Sequence, residues 1–342
     1  MPPRHPSDDH TPNQVDVARL AGVSTQTVSR VVSGQQNVRP ETARRVMAAV
    51  DELGYRVHAA AASLASGRTR ILGLIVVSTD RYSTSALSVG IEHAAAANRY
   101  TVTTAAVPDH ASNDAFIEAF DRLERQGAEG VILGVPVALD NKAMQLRTAR
   151  TPSTRVERPS TDADAPLIVD QYAIARLAVE HLLDLGHRTV WHVTGDPFWL
   201  ETTQRQAAWE QVLIERGITP PPLIPGDWTP ESGYRAGRTI AAIPEATAVF
   251  VSSDEMAFGL MRALHEAGRS VPDDVSVVSV DDIALASYAS PALTTVRQPF
   301  EEMGRAAALR LITHLEGTET EGELPDTHPE LIVRASTAAP RK

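Results

Sequence analysis

The hydrophobic residues of this chain follow two different spacings, one before and one after residue 70. Between Val15 and Leu53 they recur every three or four positions, which predicts three short amphipathic helices. From Ile71 onward, mostly apolar runs of the kind that form buried strands alternate with amphipathic segments of helical length. The pattern therefore predicts a small all-α head followed by a larger α/β body.

Turn-forming residues predict where the helices of the head begin and end. Gly22 should end the first helix, because glycine adopts the left-handed conformation at least cost. Ser24 is the expected N-cap of a second helix, Thr25–Val32, and a third helix should follow Pro40 and end at Gly54. The side chains expected to face inward are Val15, Val17, Ala18, Ala21, Val28, Val31, Val32, Ala43, Val46, Met47, Val50 and Leu53.

Two short helices joined by Ala-Gly-Val-Ser are typical of a helix-turn-helix, whose second helix lies in the major groove of DNA. Thr25 and Gln26 stand at the start of that helix, and Gln26 is suited to bidentate bonding with adenine. Arg30 is suited to N7 and O6 of guanine. The other head residues expected to contact DNA are Thr27, Ser29, Asn37, Thr42, Arg44 and Arg45. A plain three-helix bundle with a polar face remains the alternative.

The head is basic although the chain as a whole is acidic. The full chain has a formal net charge of −11, whereas residues 13–70 carry eight arginines against four acidic residues. Residues 71–342 carry 23 basic and 37 acidic side chains. Because charges separated by more than a Debye length of ~8 Å are largely screened, attraction to phosphate would stay local to the head. This asymmetry suggests a nucleic-acid partner but does not establish one.

A weak segment, residues 58–70, follows the head. It is rich in alanine and contains one large apolar residue, Leu64, so it has little to bury against a core. Since an isolated helix shorter than ~12–15 residues is marginal in water, we expect a hinge helix only where a partner packs on it. Leucine on such a hinge can open a base step in the minor groove, with His58 and Ala61 as further DNA contacts. A plain linker is the alternative.

Composition excludes several classes of protein and of site. The absence of cysteine excludes disulfides, thiolate zinc sites and cysteine nucleophiles. No apolar run reaches the ~18 residues that a membrane span needs. Residues 1–14 contain four prolines, lack the apolar core of a signal peptide and are interpreted as a disordered leader. We therefore expect a cytoplasmic protein without a membrane partner.

The body reads as alternating strands and helices, which implies parallel sheets with right-handed crossovers. The alternation of strands and helices starts again near Leu167, which indicates two lobes. The expected strands are ILGLIVVS, YTVTTAA, GVILG, PLIVD, TVWHVTG, TAVFVSS and DVSVVSVDD. The expected helices are Ala86–Ala97, Ala115–Gln126, Ala173–Leu185, Arg205–Arg216, Glu231–Ala242 and Asp254–Ala267.

The carboxyl ends of these strands, where ligands of open α/β sheets bind, are small, polar and acidic. No GxGxxG follows a strand, and GxxxxGK[ST], GxSxG and HExxH are absent. A hydroxyl-rich ligand suits the residues present, because Asp281 and Arg205 offer charge-assisted bonds and Trp228 offers an apolar face. His181, His187 and His192 are interpreted as surface or strand residues rather than metal ligands, and no cofactor is expected.

Several stretches resemble the LacI family of bacterial transcription regulators. They are VDVARLAGVSTQTVSRVVSG, ETARRVMAAVDELGY, GDWTPESGY, TAVFVSSDEMAFG, VPDDVSVVSVDDI, PALTTVRQPFEEMG and ELIVRAST. The resemblance covers nearly the whole chain. It implies a helix-turn-helix head, a hinge helix in which Leu64 opens the centre of the DNA site, and a two-lobed core similar to periplasmic sugar-binding proteins. The Val57-His58-Ala59 entry to the hinge departs from the family, which usually has Pro-Asn before a basic residue.

The resemblance also implies domain boundaries. The head spans residues 15–57 and the hinge residues 58–70. The N-terminal lobe comprises residues 71–168 and 299–326, and the C-terminal lobe comprises residues 169–298 and 327–342. The effector-binding residues that it implies are Ser83, Glu157, Arg205, Trp228, Ser253, Asp281, Gln298 and Phe300. Ser253 stands where the family usually has asparagine, so one bond to the effector is expected to differ.

The function expected from these features is sequence-specific regulation of transcription. A homodimer would bind a pseudo-palindromic operator in double-stranded DNA and leave it when a sugar or glycoside binds the body, with a galactoside as the first candidate. A regulator driven onto DNA by a corepressor, a sugar-binding transport protein and a sugar-converting enzyme are the alternatives. No nucleophile–base pair or metal set is legible, so an enzyme is not expected.

Overall fold

The computed structural model describes residues 12–32, 38–55, 67–77, 81–134, 142–156, 170–318 and 328–341. All statements about structure concern these residues. The chain forms two compact units, Met1–Arg70 and Ile71–Lys342. We describe the two units separately.

The first unit contains helices α1 (Gln14–Ala21), α2 (Thr25–Val32) and α3 (Pro40–Leu53). The predicted terminators of α1 and α3 are both confirmed, since Gly22 and Gly54 have φ angles of 64° and 61°. These residues form a helix-turn-helix followed by a third helix, as the hydrophobic spacing predicts.

Helix α2 has the cap that the sequence predicts, and α1 has a capping pair that the sequence analysis did not predict. Ser24 accepts a hydrogen bond from the backbone N–H of Thr27 at 3.1 Å, which confirms it as the N-cap of α2. The side chain of Asn13 accepts from the N–H of Asp16, and the Asp16 side chain accepts from the N–H of Asn13 in return. Because α1 starts at Gln14, the helical head begins before the predicted end of the leader.

The core of the head is smaller than the predicted inward face. Its buried residues are Val17, Ala18, Ala21, Val28, Val46 and Ala49. Val15 and Met47 were wrongly assigned to the core, because 53% and 45% of their surfaces are exposed. At 3.6 residues per turn, each lies roughly a third of a turn around its helix from the buried face. Val31, Val32, Val50 and Leu53 are partly buried against this core.

The first lobe of the body is built on a parallel four-stranded sheet of order β2-β1-β3-β4. Its strands are β1 (Ile71–Val77), β2 (Thr101–Val107), β3 (Ala128–Gly134) and β4 (Ser153–Arg155). Helices α4 (Tyr82–Ala97), α5 (Asn113–Arg125) and α6 (Lys142–Thr148) connect them. Helix α11 (Phe300–Glu316) comes from far along the chain and packs on α4, β3 and β4.

The second lobe is built on a five-stranded sheet of order β5-β6-β7-β8-β9. Its strands are β5 (Trp191–Val193), β6 (Ala248–Val251), β7 (Ser276–Asp281), β8 (Thr294–Arg297) and β9 (Glu330–Ile332). Its helices are α7 (Gln171–Asp184), α8 (Leu200–Glu215), α9 (Pro230–Ala241) and α10 (Asp254–Glu266), with a 3₁₀ turn at Ala284–Tyr288. Strand β9 pairs antiparallel with β8, which corrects the expectation of purely parallel sheets.

Most predicted elements of the body lie where the hydrophobic pattern places them. The stretch PLIVD lies outside the described residues, apart from Asp170, which caps α7. The elements predicted from the pattern do not include α6, α11, β4, β8 and β9. Helix α6 and the three strands have only three to seven residues, which are too few to show a period. It placed the start of α4 at Ala86, whereas the helix begins at Tyr82.

Two glycines allow α4 and α11 to pack backbone against backbone. A Cβ at Gly90 would lie 1.9 Å from the carbonyl oxygen of Glu301, and one at Gly304 would lie 2.1 Å from that of Leu87. Contacts this short exclude any larger residue at either position. These close contacts fix α11 on the first lobe.

Among the helices of the described residues, none has the length and hydropathy to cross a membrane.

Candidate functional site

Helix α2 presents a polar face that is open to solvent. Thr25, Gln26, Ser29 and Arg30 are exposed, while Val28 is fully buried and fixes the helix to the core of the head. These four are the outward residues that the helical spacing predicts. Such a face has the donors and acceptors that base edges in a major groove require.

The remaining predicted DNA contacts differ in what the structure shows. Thr27 and Thr42 are partly exposed, and the Thr27 hydroxyl lies 2.9 Å from that of Ser24. Thr27 therefore also belongs to the cap of the helix. The predicted contacts that lie outside the described residues are Asn37, His58, Ala61 and Leu64.

A cleft between the two lobes of the body holds the other group of candidate residues. It encloses about 950 Å³ of empty space, including solvent at its mouth. One wall follows the end of β1 and the start of α4, and the opposite wall follows the ends of β5, β6 and β7. The cleft thus lies beyond the carboxyl ends of parallel strands, where ligands of α/β sheets bind.

Every predicted effector residue that the structure describes lines this cleft. They are Ser83, Arg205, Trp228, Ser253, Asp281, Gln298 and Phe300. Glu157 lies outside the described residues. Because these positions are spread over more than 200 residues of sequence, only the fold of the body brings them to one place.

A chain of hydrogen bonds crosses the floor of the cleft. Arg205, which is buried, donates from Nε to Gln171 Oε1 at 2.8 Å and from Nη1 to the Ser252 carbonyl at 2.6 Å. Gln171 in turn donates to Gln298 Oε1 at 3.3 Å, and Gln298 donates to Asp281 Oδ1 at 2.7 Å. A guanidinium and a carboxylate are thus held in fixed orientations on either side of two amides.

Asp281 combines an unfavourable environment with an unusual backbone. Burial raises the pKa of its carboxyl well above the ordinary value, while the charge of Arg205 and the bond from Gln298 act in the opposite direction. Its φ angle is 117°, and that of Asp282 is 56°. Residues held in such conformations cost of order 1–3 kcal/mol and are concentrated at functional sites. The cleft therefore holds a carboxyl group that a hydrogen-bonding ligand would stabilise.

Hydrogen bonds within the second lobe hold the backbone of Asp281 and Asp282 in place. Asp254 accepts from Ser279 Oγ at 2.5 Å, from Thr295 Oγ1 at 2.6 Å and from the Ile283 N–H at 2.8 Å. Asp282 accepts from Arg334 Nη2 at 2.6 Å and from Arg297 Nε at 2.8 Å. The loop after β7 is consequently fixed on both sides of Asp281.

Trp228 forms an aromatic wall beside Arg205. The guanidinium carbon of Arg205 lies 5.7 Å from the centre of its ring. A Cβ at Gly195 would lie 2.1 Å from Trp228 Cζ2, so only glycine admits the indole there. Trp228 has a φ angle of 72°, and its buried Nε1 has no hydrogen-bond partner among the described residues. A ligand against this wall would meet an apolar face with a cation next to it.

Ser253 has a structural bond of its own. Its hydroxyl oxygen accepts from the N–H of Met256 at 3.3 Å and so caps helix α10. The hydroxyl can still donate one bond towards the cleft. A serine here therefore offers a ligand fewer groups than the larger amide of asparagine would.

Several residues of the cleft were not singled out from the sequence. They are Arg81, Thr84, Gln171, Trp199, Glu201, Gln204 and Glu255. Thr84, Glu201 and Glu255 lie in the first turn of a helix that follows a strand, and that position in the sequence is the signal by which they could have been found. Tyr82–Ser85 forms the first turn of α4.

Tyr82 packs against the start of α11 in the same lobe. Its ring lies edge-on to that of Phe300, with 6.3 Å between the ring centres. Burial raises the pKa of the Tyr82 hydroxyl, and the negative charge of Asp281 adds to the effect. Tyr82 thus stays neutral near pH 7 and can both donate and accept a hydrogen bond.

The three neighbouring histidines are bonded to the protein. His187 lies 2.9 Å from Thr247 Oγ1 and 3.0 Å from the Ala338 carbonyl, and His181 lies 3.0 Å from Thr337 Oγ1. His192 lies 3.1 Å from the Phe250 carbonyl. Burial lowers the pKa of all three imidazoles, that of His192 to about 4. Within the part of the chain that the structure describes, no group of three His, Asp or Glu side chains is arranged to hold a metal ion.

Comparison with known proteins extends the likeness to both units. A model of bacterial regulatory proteins of the lacI family matches residues 15–58, and a periplasmic binding protein-like domain matches residues 179–337. The HTH-type transcriptional repressor PurR of Vibrio vulnificus (strain CMCP6) is 31% identical over 93% of this chain and 96% of its own length.

Two solved structures are similar over nearly the full length. The lac repressor dimer bound to operator and the anti-inducer ONPF is 30% identical, with a TM-score of 0.85 over 96% of this chain and all of its own. The transcriptional regulator CelR in complex with cellobiose is 29% identical, with a TM-score of 0.66 over 95% of this chain and 99% of its own. The resemblance in the sequence is thus confirmed, and the chain belongs to the LacI family of bacterial DNA-binding transcription regulators.

Proposed function

We propose that this regulator represses carbohydrate-utilisation genes and leaves its operator when a sugar or glycoside binds in the cleft. The observation that carries the proposal is the arrangement of Asp281, Arg205 and Trp228. An acceptor, a cation and an aromatic face surround one space between two lobes. A sugar ring presents hydroxyl groups at its edge and C–H groups on its face, which match these two kinds of surface.

The acidic residues of the cleft support a neutral ligand. Glu201, Glu255 and Asp281 line it together with two cations, Arg81 and Arg205. Both cations already interact with protein groups, Arg81 with Asp109 at 2.9 Å and Arg205 with Gln171 and Ser252. An anionic ligand would therefore meet an excess of carboxyl groups. CelR, a structural relative, holds the neutral disaccharide cellobiose, and a galactoside remains our first candidate.

A purine-related ligand is the second candidate, because the relatives include PurR. The aromatic rings of Trp228, Phe300 and Tyr82 around the cleft favour it, since they offer surfaces for a flat base. Hydroxyl groups on the ligand fit the carboxyl and guanidinium pair better, so we place the sugar first.

On the DNA side we propose a homodimer whose two heads read the half-sites of a pseudo-palindromic operator. Thr25, Gln26, Ser29 and Arg30 would contact base edges, with Thr27, Asn37 and Thr42 on or near the backbone. His58, Ala61 and Leu64 would act from a hinge that opens the central base step. The solved relative with operator DNA is a dimer, which supports this arrangement.

The chain crosses between the lobes three times, which suits a hinged response to ligand. The crossings fall between β4 and α7, between β8 and α11, and between α11 and β9. We infer that the N-terminal lobe comprises residues 71–168 and 299–326, and the C-terminal lobe residues 169–298 and 327–342. Ligand binding would change the relative orientation of the lobes and move the segments that lead to the hinge. By linkage, DNA must then weaken ligand binding by the same factor, commonly ~5–150-fold.

Two substitutions test the division of labour, after a thermal-shift screen of mono- and disaccharides has identified a ligand. Asp281→Ala should abolish the response to that ligand while operator affinity is unchanged. Leu64→Ala should weaken operator binding while ligand affinity is unchanged. Loss of both activities in either variant would contradict the proposal. A ligand that tightens DNA binding would show a corepressor, and a purine that raises the melting temperature where sugars do not would favour the second candidate.

A further inference from the structure

At the mouth of the cleft a short segment of the second lobe reaches onto the first lobe. Asp196–Trp199, which we name the latch segment, follows β5 and leads into α8. It contacts Arg81 and His110, which follow the carboxyl ends of β1 and β2. These contacts join one lobe to the other.

Trp199 makes the largest of these contacts. Only 4% of its surface is exposed, and its indole packs within the apolar cluster of the first lobe that contains Val77, Phe116 and Met144. The guanidinium carbon of Arg81 lies 4.3 Å from the ring centre. Arg81 is itself held by Asp109 at 2.9 Å. A side chain of one lobe is thus buried in the core of the other, which is possible only while the lobes are closed.

His110 makes a second connection beside the first. Its Nε2 lies 3.0 Å from Asp196 Oδ2, and its ring centre lies 4.7 Å from that of Phe198. The other carboxylate oxygen of Asp196 accepts from the N–H of Phe198 at 2.9 Å. Asp196 therefore shapes the turn of the latch segment and reaches the opposite lobe at the same time.

We propose that the latch segment holds the lobes closed and thereby completes the ligand site. Arg81 and Trp199 also line the cleft, so their pairing across its mouth forms one wall only in the closed arrangement. Trp199 and His110 are positioning residues in this scheme, because they fix the distance between the lobes. The effect on DNA binding rests on the function proposed above, whereas the closure does not.

The closure can be measured on the full chain without ligand or DNA. The chain has four tryptophans, so 5-fluorotryptophan labelling gives four fluorine signals, and Trp199→Phe identifies the one of interest. A soluble paramagnetic agent should leave Trp199 as protected as Trp209, which is buried inside the second lobe. If Trp199 is instead freely accessible in the unsubstituted chain, the proposal is overturned.

Variants at the mouth of the cleft test whether the contacts of the latch segment hold the two lobes together. His110→Ala removes both the contact with Asp196 and the ring contact with Phe198. It should raise the paramagnetic relaxation rate of the Trp199 signal roughly threefold, with the rate of Trp209 unchanged. Adding Arg81→Ala removes the cation above the Trp199 ring. The double variant should have a relaxation rate of the Trp199 signal roughly tenfold that of the unsubstituted chain. His93→Ala is the matched control, because His93 is also an exposed histidine of the first lobe paired with a carboxylate, Glu301, at 3.3 Å. It should change neither signal.

The outcomes distinguish the latch from the proposed function. Equal protection of Trp199 in the double variant and in the unsubstituted chain would overturn the latch, whatever ligand the cleft binds. Opening of the double variant without any sugar or purine binding to the unsubstituted chain would support the latch and contradict the proposed ligand classes. For a ligand found in the screen, His110→Ala should raise the dissociation rate about threefold and His93→Ala should not.

Discussion

At the scale of single residues, the cleft depends on carboxyl groups that are buried for different purposes. Asp254 lies beneath the floor, where two hydroxyls and a backbone N–H satisfy it. Asp281 lies one strand away and faces the cleft, with Gln298 as its bonded side-chain partner. The first carboxyl fixes the loop and the second is available to a ligand. Their residue type is the same, and only their surroundings separate the roles.

Asp254 gives a prediction about pH. Burial raises the pKa of its carboxyl from the ordinary 3.8 to about 6. The folded state then binds more protons than the unfolded state between pH 4 and 6, so this group makes the protein less stable as pH rises through that window. Two pKa units correspond to about 3 kcal/mol. We therefore expect the free energy of unfolding of the natural chain, measured by chemical unfolding, to fall relative to that of Asp254→Asn between pH 4 and 6. Above pH 7 the difference between the two proteins should be constant.

The Asp254→Asn variant also has a fixed cost, because the amide has one acceptor oxygen in place of the two that accept from Ser279, Thr295 and the Ile283 N–H. That cost does not depend on pH, so it shifts the whole curve without changing its slope. A difference between the two proteins that stays level from pH 4 to 7 would show that Asp254 does not titrate in this range.

At the scale of elements, short helices in this chain depend on their end residues. Helix α2 has eight residues and one fully buried side chain, Val28, so packing alone fixes it weakly. The hydroxyl of Ser24 satisfies a backbone N–H at its start, and Gln14 of the preceding helix donates to the Thr25 carbonyl at 3.0 Å. The outward face of α2 therefore takes its shape from two side chains that do not themselves belong to it.

Ser24→Ala tests this dependence. The substitution removes the cap and should destabilise α2 by about 1 kcal/mol, which would speed hydrogen exchange of the Thr27 amide about fivefold. Operator affinity should fall with it, while ligand binding to the body stays the same. Ser24→Asp, which can still cap the helix, should restore slow exchange. Fast exchange in both variants would mean that the hydroxyl is not what holds the helix start.

At the scale of the whole molecule, the second lobe leaves large apolar side chains in solvent. Leu285 and Tyr288 of the 3₁₀ turn are 64% and 85% exposed, and Val333 beyond β9 is 59% exposed. A patch of exposed apolar side chains is characteristic of a protein interface, and Leu285 and Tyr288 lie within the same 3₁₀ turn. In a dimer with two-fold symmetry, the same surface of each copy would cover the other.

We therefore predict that Leu285→Asp combined with Tyr288→Asp converts the dimer to a monomer. Two carboxylates on each side would repel across a symmetric interface and would be costly to bury. Sedimentation velocity at micromolar concentration should show the smaller species, and operator affinity should fall because two heads no longer bind together. The paired control Leu146→Asp places the same charge on an exposed leucine of the first lobe and should leave the dimer intact. A dimer that survives both aspartates would place the interface elsewhere.

The sequence by itself determined the local structure and the division of the chain. Glycine and serine at helix ends, the change of hydrophobic period after residue 70 and the contrast in charge all act between neighbours in sequence, so they are legible without a fold. The spacing in α2 likewise predicted which side chains face outward. The family resemblance added the positions of the cleft residues but no distances.

The tertiary structure decided what depends on contacts between distant residues. It joined Arg205, Trp228 and Asp281 in one cleft, added the antiparallel strand β9 and moved Val15 out of the head's core. It also showed that Trp199 of the second lobe is buried in the first. A side chain's partner across a cleft is set by how two sheets face each other, and no period or spacing along the chain encodes that relation.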